Sequence, residues 1–520
     1  MRGVENKSHT SGRGAESFMS WLDFRIWKAQ CPDRNFPIPL CTMSFLSLPI
    51  GLIWSCLLTL SVGLHLHAAD WPCFRGPGGL GIASAEARPP IQFSPTAHVA
   101  WRIDCPAGNS SPIVIGQSVF LTAASDRRLS LLCLDLATGQ TRWRRDMDVP
   151  RTEEVHRTVG SPASATPVSD GHRVFAHFGS MGMVAFTLDG LELWRHPLPI
   201  TETEYGASSS PVLAGGLLIQ LIDQDSHSYL IALKTEDGSL AWRLERPDMR
   251  RGFGTPVLWS HHGRKDLVVP GTIFLTGLDP ATGAERWRIP GLARITCTSP
   301  VFEGDRLVVA SWTTGGDRGA DRIELPAFDD VLKTADRDAD GRLSLAELPA
   351  GAAQERRKHL DGNRDGFVDR SEWESMAAIF ARVENQAFAV EPDTDGTLRE
   401  TGIRWRFKRG LPYVASPLIH DQRVHLIKNG GFVTCLDART GLPHFQEERL
   451  GGGGDYYASP ILAGGHLYFA SQRGVITVLR DSAVFQVVAS NDLGEFIHAS
   501  PVPVGNQLLV RTASHLYAFR

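Results

Sequence analysis

The tightest constraint on this chain is a two-part signal that recurs along most of its length. A Ser-Pro or Thr-Pro pair begins at Ser111, Thr166, Ser210, Thr255, Ser299, Ser416, Ser459 and Ser500. Each pair leads into a short apolar run and a Gly or Asp turn. Downstream come LDLATGQTRW ending at Trp143, TLDGLELW at Trp194, LKTEDGSLAW at Trp242, LDPATGAERW at Trp287 and LDARTGLPHF at Phe445. In each stretch, Asp and Thr oxygens can bond nearby backbone, and Gly is free to take φ > 0. The aromatic residue then places a large apolar plate on the outgoing strand. Successive pairs are 41–55 residues apart, except for 117 between Ser299 and Ser416. A period of about 40–50 residues with four short strands per unit predicts a β-propeller. The eight markers predict eight blades, with an insertion in the fifth.

The ends of the repeat array predict how the ring closes. The unit that starts at Ser500 has inner strands but no outer strand with an aromatic residue. The segment His98–Ile103 has the opposite gap: it carries Trp101 but no marker. Each gap fits the other, so the N-terminal strand should complete the last blade and remove the exposed sheet edges of an open array. The outer-strand aromatic column then reads Trp143, Trp194, Trp242, Trp287, Trp405, Phe445, Phe485 and Trp101. These are expected to be wedges between blades. The expected layout is an N-terminal extension over 1–69, a lead-in over 70–97, blades over 98–313, an insertion over 314–383 and the remaining blades over 384–520.

The net charge of −4 over 520 residues and the lack of a long basic run argue against a nucleic-acid partner. Residues Phe45–Leu66 are almost wholly apolar, contain no Asp, Glu, Lys or Arg, and are followed by His67, Ala68 and Ala69. This pattern predicts export, with cleavage near Ala69, or else an uncleaved anchor that is the chain's only membrane contact. Of the eight cysteines, five lie beyond this segment, and none form CxxC. An odd, scattered set predicts buried small apolar residues instead of a disulfide framework.

Between Trp312 and Phe388 the β pattern stops. Pro326–Ala335 has helical spacing, and a twelve-residue stretch then runs from Asp336 to Glu347. Asp336, Asp338 and Asp340 stand at positions 1, 3 and 5 of a calcium loop, and Gly341 stands at the bend. Arg342 would give its backbone carbonyl, Ser344 would act directly or through water, and Glu347 would bind bidentately. A second loop starts 25 residues later, with Asp361, Asn363, Asp365, the Phe367 carbonyl, Asp369 and Glu372 as its ligands. Helix caps on an acidic surface loop would not require both the central glycine and the final glutamate in each copy. The hard oxygen donors suit calcium. The short linker between the loops predicts a compact structural pair, not a sensor that opens a groove.

The residues preceding the Ser/Thr-Pro pairs should crowd one mouth of the propeller channel. They include His156, Arg157, Glu204, Tyr205, Arg250, Arg251, Arg294, Tyr413, Asp455, Tyr456, Tyr457, Glu495 and His498. Such a ring could hold an anionic or carbohydrate-like ligand, or could simply be a wet, hydrogen-bonded mouth. It identifies no nucleophile or base.

The repeated LDxxTGxxxW units resemble those of the pyrroloquinoline quinone (PQQ) repeat superfamily, which includes quinoprotein dehydrogenases and BamB-like outer-membrane assembly lipoproteins. Asp70–Gly76, DWPCFRG, resembles the opening of many exported bacterial propeller proteins, and implies a pinned, non-catalytic segment. The resemblance implies a fold far more than an activity. Many alcohol-oxidising members carry adjacent cysteines beside the quinone, and this sequence has none. No lipobox of good quality precedes the mature part. The reading is therefore an exported, calcium-binding scaffold for a protein or extracellular polymer, not an enzyme. The alternative is a PQQ-dependent dehydrogenase acting on an alcohol or sugar.

Overall fold

The computed structural model describes residues 70–316 and 322–520. The expected export segment lies outside the described residues. Within them, eight four-stranded antiparallel sheets form the blades of a propeller. Blades 1–4, 6 and 7 each use four consecutive strands, running from the channel outward. Blade 8 takes its outer strand, Val99–Asp104, from the N-terminal side, where it pairs with His515–Phe519. The ring thus closes as the complementary gaps predict.

The Ser/Thr-Pro marker is explained by a closed circuit of hydrogen bonds. The Ser111 N–H donates to Thr166 Oγ1 at 3.0 Å, and the Thr166 N–H donates to Ser210 Oγ at 3.0 Å. The relay continues through Thr255, Ser299, Ser416, Ser459 and Ser500. The Ser500 N–H then returns to Ser111 Oγ at 3.0 Å. Every one of these residues is 8% exposed or less. Each hydroxyl satisfies a backbone donor of the preceding blade where water cannot.

The aromatic column has its own geometry. Across the pair of outer strands, Trp101 faces Ala518, Trp143 faces Cys133, Trp194 faces Ala185, Trp242 faces Ala232 and Phe445 faces Cys435. A small residue opposite each plate leaves room for it to lie over the sheet. Cys133 and Cys435 fill that role, and all five described cysteines are free. The indole then reaches the next blade. Trp101 donates to the Leu136 carbonyl at 2.9 Å, Trp143 to Leu188 at 2.9 Å and Trp405 to Ala438 at 2.8 Å. The turn glycine of that next blade sits against the ring: a Cβ on Gly139 would lie 2.6 Å from Trp101, and one on Gly441 would lie 2.6 Å from Trp405.

Two members of the expected column depart from it. Trp287 does not bridge to blade 5: the connection there, residues 391–402, is longer, and its Thr401-Gly402 packs against Glu391 and not against the indole. It donates instead to Asp266 Oδ2 in its own blade at 2.7 Å. Trp259 makes the bridge to blade 5, donating to the Gly304 carbonyl at 2.9 Å. Phe485 lies just before the outer strand of blade 7, Val487–Asp492, and stacks edge-on to Phe445 at 5.5 Å.

The lead-in segment is hydrogen-bonded to the inner strands of several blades. Trp71 exchanges backbone bonds with Val114 of blade 1, and the Pro72 carbonyl accepts from Ser169 of blade 2. Ile82 bridges Leu462 of blade 7, and the Arg88 N–H donates to Gly505 of blade 8. Arg75 is fully buried and donates to the Pro417 carbonyl of blade 6 at 2.7 Å. Without a carboxylate partner, its burial pulls the guanidinium pKa down to about 9. The segment is pinned as expected, and it also closes the channel on the far side of the hydroxyl circuit.

Two substitutions test these contacts. Ser459→Ala removes the acceptor of the buried Ser416 N–H and should cost roughly 1–3 kcal/mol in chemical unfolding. Gly139 and Gly116 both have positive φ, but a Cβ on Gly116 meets nothing within 4 Å. Gly139→Ala should therefore destabilise by about 1–3 kcal/mol more than Gly116→Ala, the difference reporting the Trp101 contact.

Candidate metal centre and axial cup

The insertion joins the second and third strands of blade 5, Arg306–Ser311 and Gln386–Val390. At its neck, the Asn385 side chain accepts from the Thr313 N–H at 2.9 Å and donates to the Thr313 carbonyl at 2.8 Å. Helix α1 spans Phe328–Ala335 and leads into the first loop. Two short helices, α2 (Ala352–Glu355) and α3 (Arg357–Leu360), fill the linker. Helix α4, Arg370–Arg382, is capped by Asp369, whose side chain accepts from the Glu372 N–H while Glu372 accepts from the Asp369 N–H. The Phe328, Trp373, Phe380 and Leu360 side chains share one core with Ile273 of blade 4.

The two loops have the same internal geometry. Position 4 has positive φ in both (Ala339, 57°; Arg364, 61°), as has the central glycine (Gly341, 80°; Gly366, 89°). The Gly341 N–H donates to Asp336 Oδ2 at 3.0 Å, and the Gly366 N–H donates to Asp361 Oδ2 at 3.1 Å. The final glutamates match as well: Glu347 accepts from the Arg337 N–H at 2.9 Å, and Glu372 from the Gly362 N–H at 3.0 Å. Leu343 pairs with Val368 and Ser344 with Phe367 in a short antiparallel contact. The loops are therefore locked face to face.

This donor set fits calcium. One carboxylate oxygen each from Asp336, Asp338 and Asp340 lie within 4.8 Å of one another. Asp336 Oδ1 is buried with no hydrogen-bond partner, as an atom reserved for a cation would be. In the second loop Asp361, Asn363, Asp365 and Glu372 accept backbone N–H groups of the loop in the pattern of the first, and Asp369 caps α4. The Arg342 and Phe367 side chains lie outside the cage and stack on one another, the guanidinium 4.1 Å from the ring centroid. Backbone donors from Arg337 hold the Glu347 carboxyl below its usual range, whereas burial raises that of Glu372.

The insertion is clamped to blade 3. Arg364, at position 4 of the second loop, donates to Asp225 Oδ2 at 2.7 Å. Asp225 also accepts from Arg251, which in turn donates to Glu204 at 3.1 Å. His359 of α3 sits 2.6 Å from Arg251 Nη1.

Beside this clamp opens the axial cup, a cavity of about 320 Å³. Phe74 of the lead-in segment and most of the hydroxyl circuit line its depth; His156, Tyr205, Phe253, Cys297, Tyr413, Tyr457 and His498 line its walls. His156 stacks on Tyr205 at 5.3 Å, and Phe253 meets Tyr205 edge-on at 5.8 Å. Of the ring read from sequence, five residues therefore reach the cup. The others do other work. Glu495 binds His515 and Thr512, both at 2.7 Å, and Arg250 caps the Pro247 carbonyl at 2.8 Å. Asp455 accepts from the Tyr457 hydroxyl at 3.3 Å, Tyr456 is buried, and Arg157 is exposed. Sequence reasoning missed Phe74, Phe253, Cys297 and the circuit hydroxyls themselves. Only the last had a local signal, the Ser/Thr of each marker.

The cup offers donors and aromatic faces. Burial pushes the Cys297 thiol up to about 12, raises the Tyr413 phenol further and lowers His498. At neutral pH these groups are a thiol, a phenol and a neutral imidazole. Each circuit hydroxyl spends its oxygen on a backbone N–H and keeps its own proton to donate.

A family model described as outer membrane protein assembly factor BamB matches residues 91–221 and 226–330, and an EF-hand model matches 328–349 and 358–377. The outer membrane protein assembly factor BamB of Alkalilimnicola ehrlichii is 27% identical over 179 residues, which is 33% of this chain and 43% of that protein. The chain thus matches less than half the length of that curated relative. The crystal structure of BamB from Moraxella catarrhalis superimposes with a TM-score of 0.50 at 12% identity, over 81% of this chain and 98% of that one. A quinohemoprotein alcohol dehydrogenase from Comamonas testosteroni reaches 0.48 at 11% identity, over 87% of this chain and 80% of that one, too loose a likeness to bear on activity. The repeat circuit, the eight closed blades and the matched calcium loops agree on one answer: this chain is a PQQ-like, eight-bladed β-propeller with an inserted EF-hand pair, similar to BamB over residues 91–330.

Proposed function

We propose that the chain is an exported, calcium-binding propeller that works as a non-enzymatic binding or scaffold protein for a protein or extracellular polymer. The observation that carries this reading is the clamp between the second calcium loop and blade 3, Arg364 to Asp225 to Arg251. A calcium loop wired into buried propeller charges acts as a brace. The closed core of the pair, which includes Trp373 and Phe380 at 2% exposure or less, supports the same role. The apolar run before Ala69 and the BamB-type match support a place outside the cytoplasm, with residues 45–66 the only membrane contact if they are retained.

A second reading, PQQ-dependent oxidation of an alcohol or sugar, draws on the size and aromatic walls of the axial cup. Against it stand the absence of adjacent cysteines from the sequence and a cup closed below by the lead-in segment.

Titration of the full chain should find two calcium ions, with affinities near the weak end for extracellular modules, about 10⁻⁴–10⁻³ M. Glu347→Gln and Glu372→Gln should each abolish one site. The double variant should keep the β-rich circular dichroism of the propeller while losing the calcium-dependent rise in melting temperature. Fluorescence of a hydrophobic dye should stay flat as calcium is added; a steep rise would make the pair a sensor. PQQ, with or without calcium, should leave stability and absorbance unchanged, and saturable calcium-dependent binding would bring the dehydrogenase reading forward.

A further inference from the structure

Arg294 lies in the connection from blade 4 to blade 5 and is 6% exposed. Its neighbour Ile295 lines the cup. Its guanidinium stands over Phe380 of α4, 5.8 Å from the ring centroid. Among the described residues it makes no hydrogen bond or ion pair, and its Nε is buried without a partner. Its surroundings make this worse: Arg251 and Arg356 are close enough for their charges to oppose its own. The acids nearby are spent elsewhere. Asp225 is shared by Arg251 and Arg364, Glu204 serves Arg251, and the exposed Glu355 serves Arg356. Burial and like charge together pull the Arg294 pKa down to about 10.

A buried, unpaired cation beside two others is costly, and a folded protein keeps such an arrangement where a counter-charge arrives from outside. Tyr205 and Tyr413, both lining the cup, are near enough to influence Arg294 and offer phenol donors toward the same region. A guanidinium fork with neutral hydroxyl donors matches a carboxylate or a tetrahedral oxyanion. We propose that Arg294, flanked by Arg251 of the propeller and Arg356 of the EF-hand insertion, forms a site for a small oxyanion group at the seam between channel mouth and insertion. The ligand is a molecule bearing a carboxylate, sulfate or phosphate. The site exists only because the insertion docks where it does, since Arg356 belongs to the insertion and Arg251 is held by its clamp.

The test is thermal unfolding and calorimetric titration of the full chain with sodium sulfate, sodium acetate and, in calcium-free buffer, inorganic phosphate, each against sodium chloride at matched ionic strength. At roughly 100 times the dissociation constant, the binding anion should raise the melting temperature by about 3 °C over chloride. Comparing acetate with sulfate and phosphate distinguishes a carboxylate ligand from a tetrahedral one. Sulfate stabilises many proteins without a site, so the variants decide. Arg294→Met should melt no lower than the parent in chloride and should lose the anion-specific shift. Arg356→Gln, which changes a partly exposed side chain, should weaken anion binding several-fold and covers the case in which Arg294→Met fails to fold. An absent anion-specific shift in the parent, or an undiminished response in either folded variant, overturns the proposal. The readout does not depend on whether calcium or PQQ binds.

Discussion

Everything in this propeller hangs on eight backbone donors that water cannot reach. Proline follows each of them, so each inner strand begins with a residue held extended and a neighbour with no N–H to offer. The N–H of the Ser or Thr itself points across the blade boundary and must find an acceptor there. The hydroxyl of the next blade's Ser or Thr supplies it, and the last of these bonds joins Ser500 to Ser111, 389 residues apart in the chain. No blade can leave the ring without orphaning one buried donor and one acceptor. The repeat period is therefore a property of the circuit, and the 117-residue step from Ser299 to Ser416 keeps a 2.9 Å bond, against 3.0 Å on either side.

The outer rim solves a different problem. Blades diverge as they leave the axis, and a tryptophan fills the widening gap. That plate needs a small residue beneath it and a glycine in front; the small residue immediately precedes the LDxxTGxxxW stretch, and the stretch itself serves two neighbours at once. Its glycine receives the indole of the preceding blade, while its tryptophan goes forward to the next. Trp287 shows the rule by exception. With the longer connection of blade 5, Gly402 packs on Glu391, and the indole bonds Asp266 of its own blade. The pattern is therefore pairwise, and a changed turn alters its neighbour's tryptophan.

The legible parts of this fold were those written locally. Both calcium loops could be read residue by residue, because all their donors fall within twelve consecutive positions and the bend demands glycine. Ring closure was legible because two incomplete units complement each other. The lead-in was only half legible: DWPCFRG marks a pinned segment, but nothing local says that Arg75 reaches blade 6 or that Phe74 enters the cup. Arg251 and Arg294 read from sequence as parts of a polar channel mouth. Their different fates depend on Asp225 and Arg364, which are 139 residues apart and meet only because the insertion folds back over blade 3. Long-range charge pairing leaves no periodic trace in a sequence.

The insertion itself follows from this architecture. Its neck is closed by the Asn385 amide bridging both sides of Thr313, so blade 5 retains its strand pairing whatever is grown between its second and third strands. Growth at that point places new structure on the face where the blade-to-blade connections converge. The EF-hand pair, sharing its core with Ile273 and its charges with blade 3, is thereby fixed beside the open mouth of a channel whose other side the lead-in segment fills. Arg294 is buried behind the cup wall that its neighbour Ile295 lines. The second calcium loop and the cup side of the propeller thus share a boundary at Arg251 and Asp225, and any coupling across it must by linkage run equally in both directions.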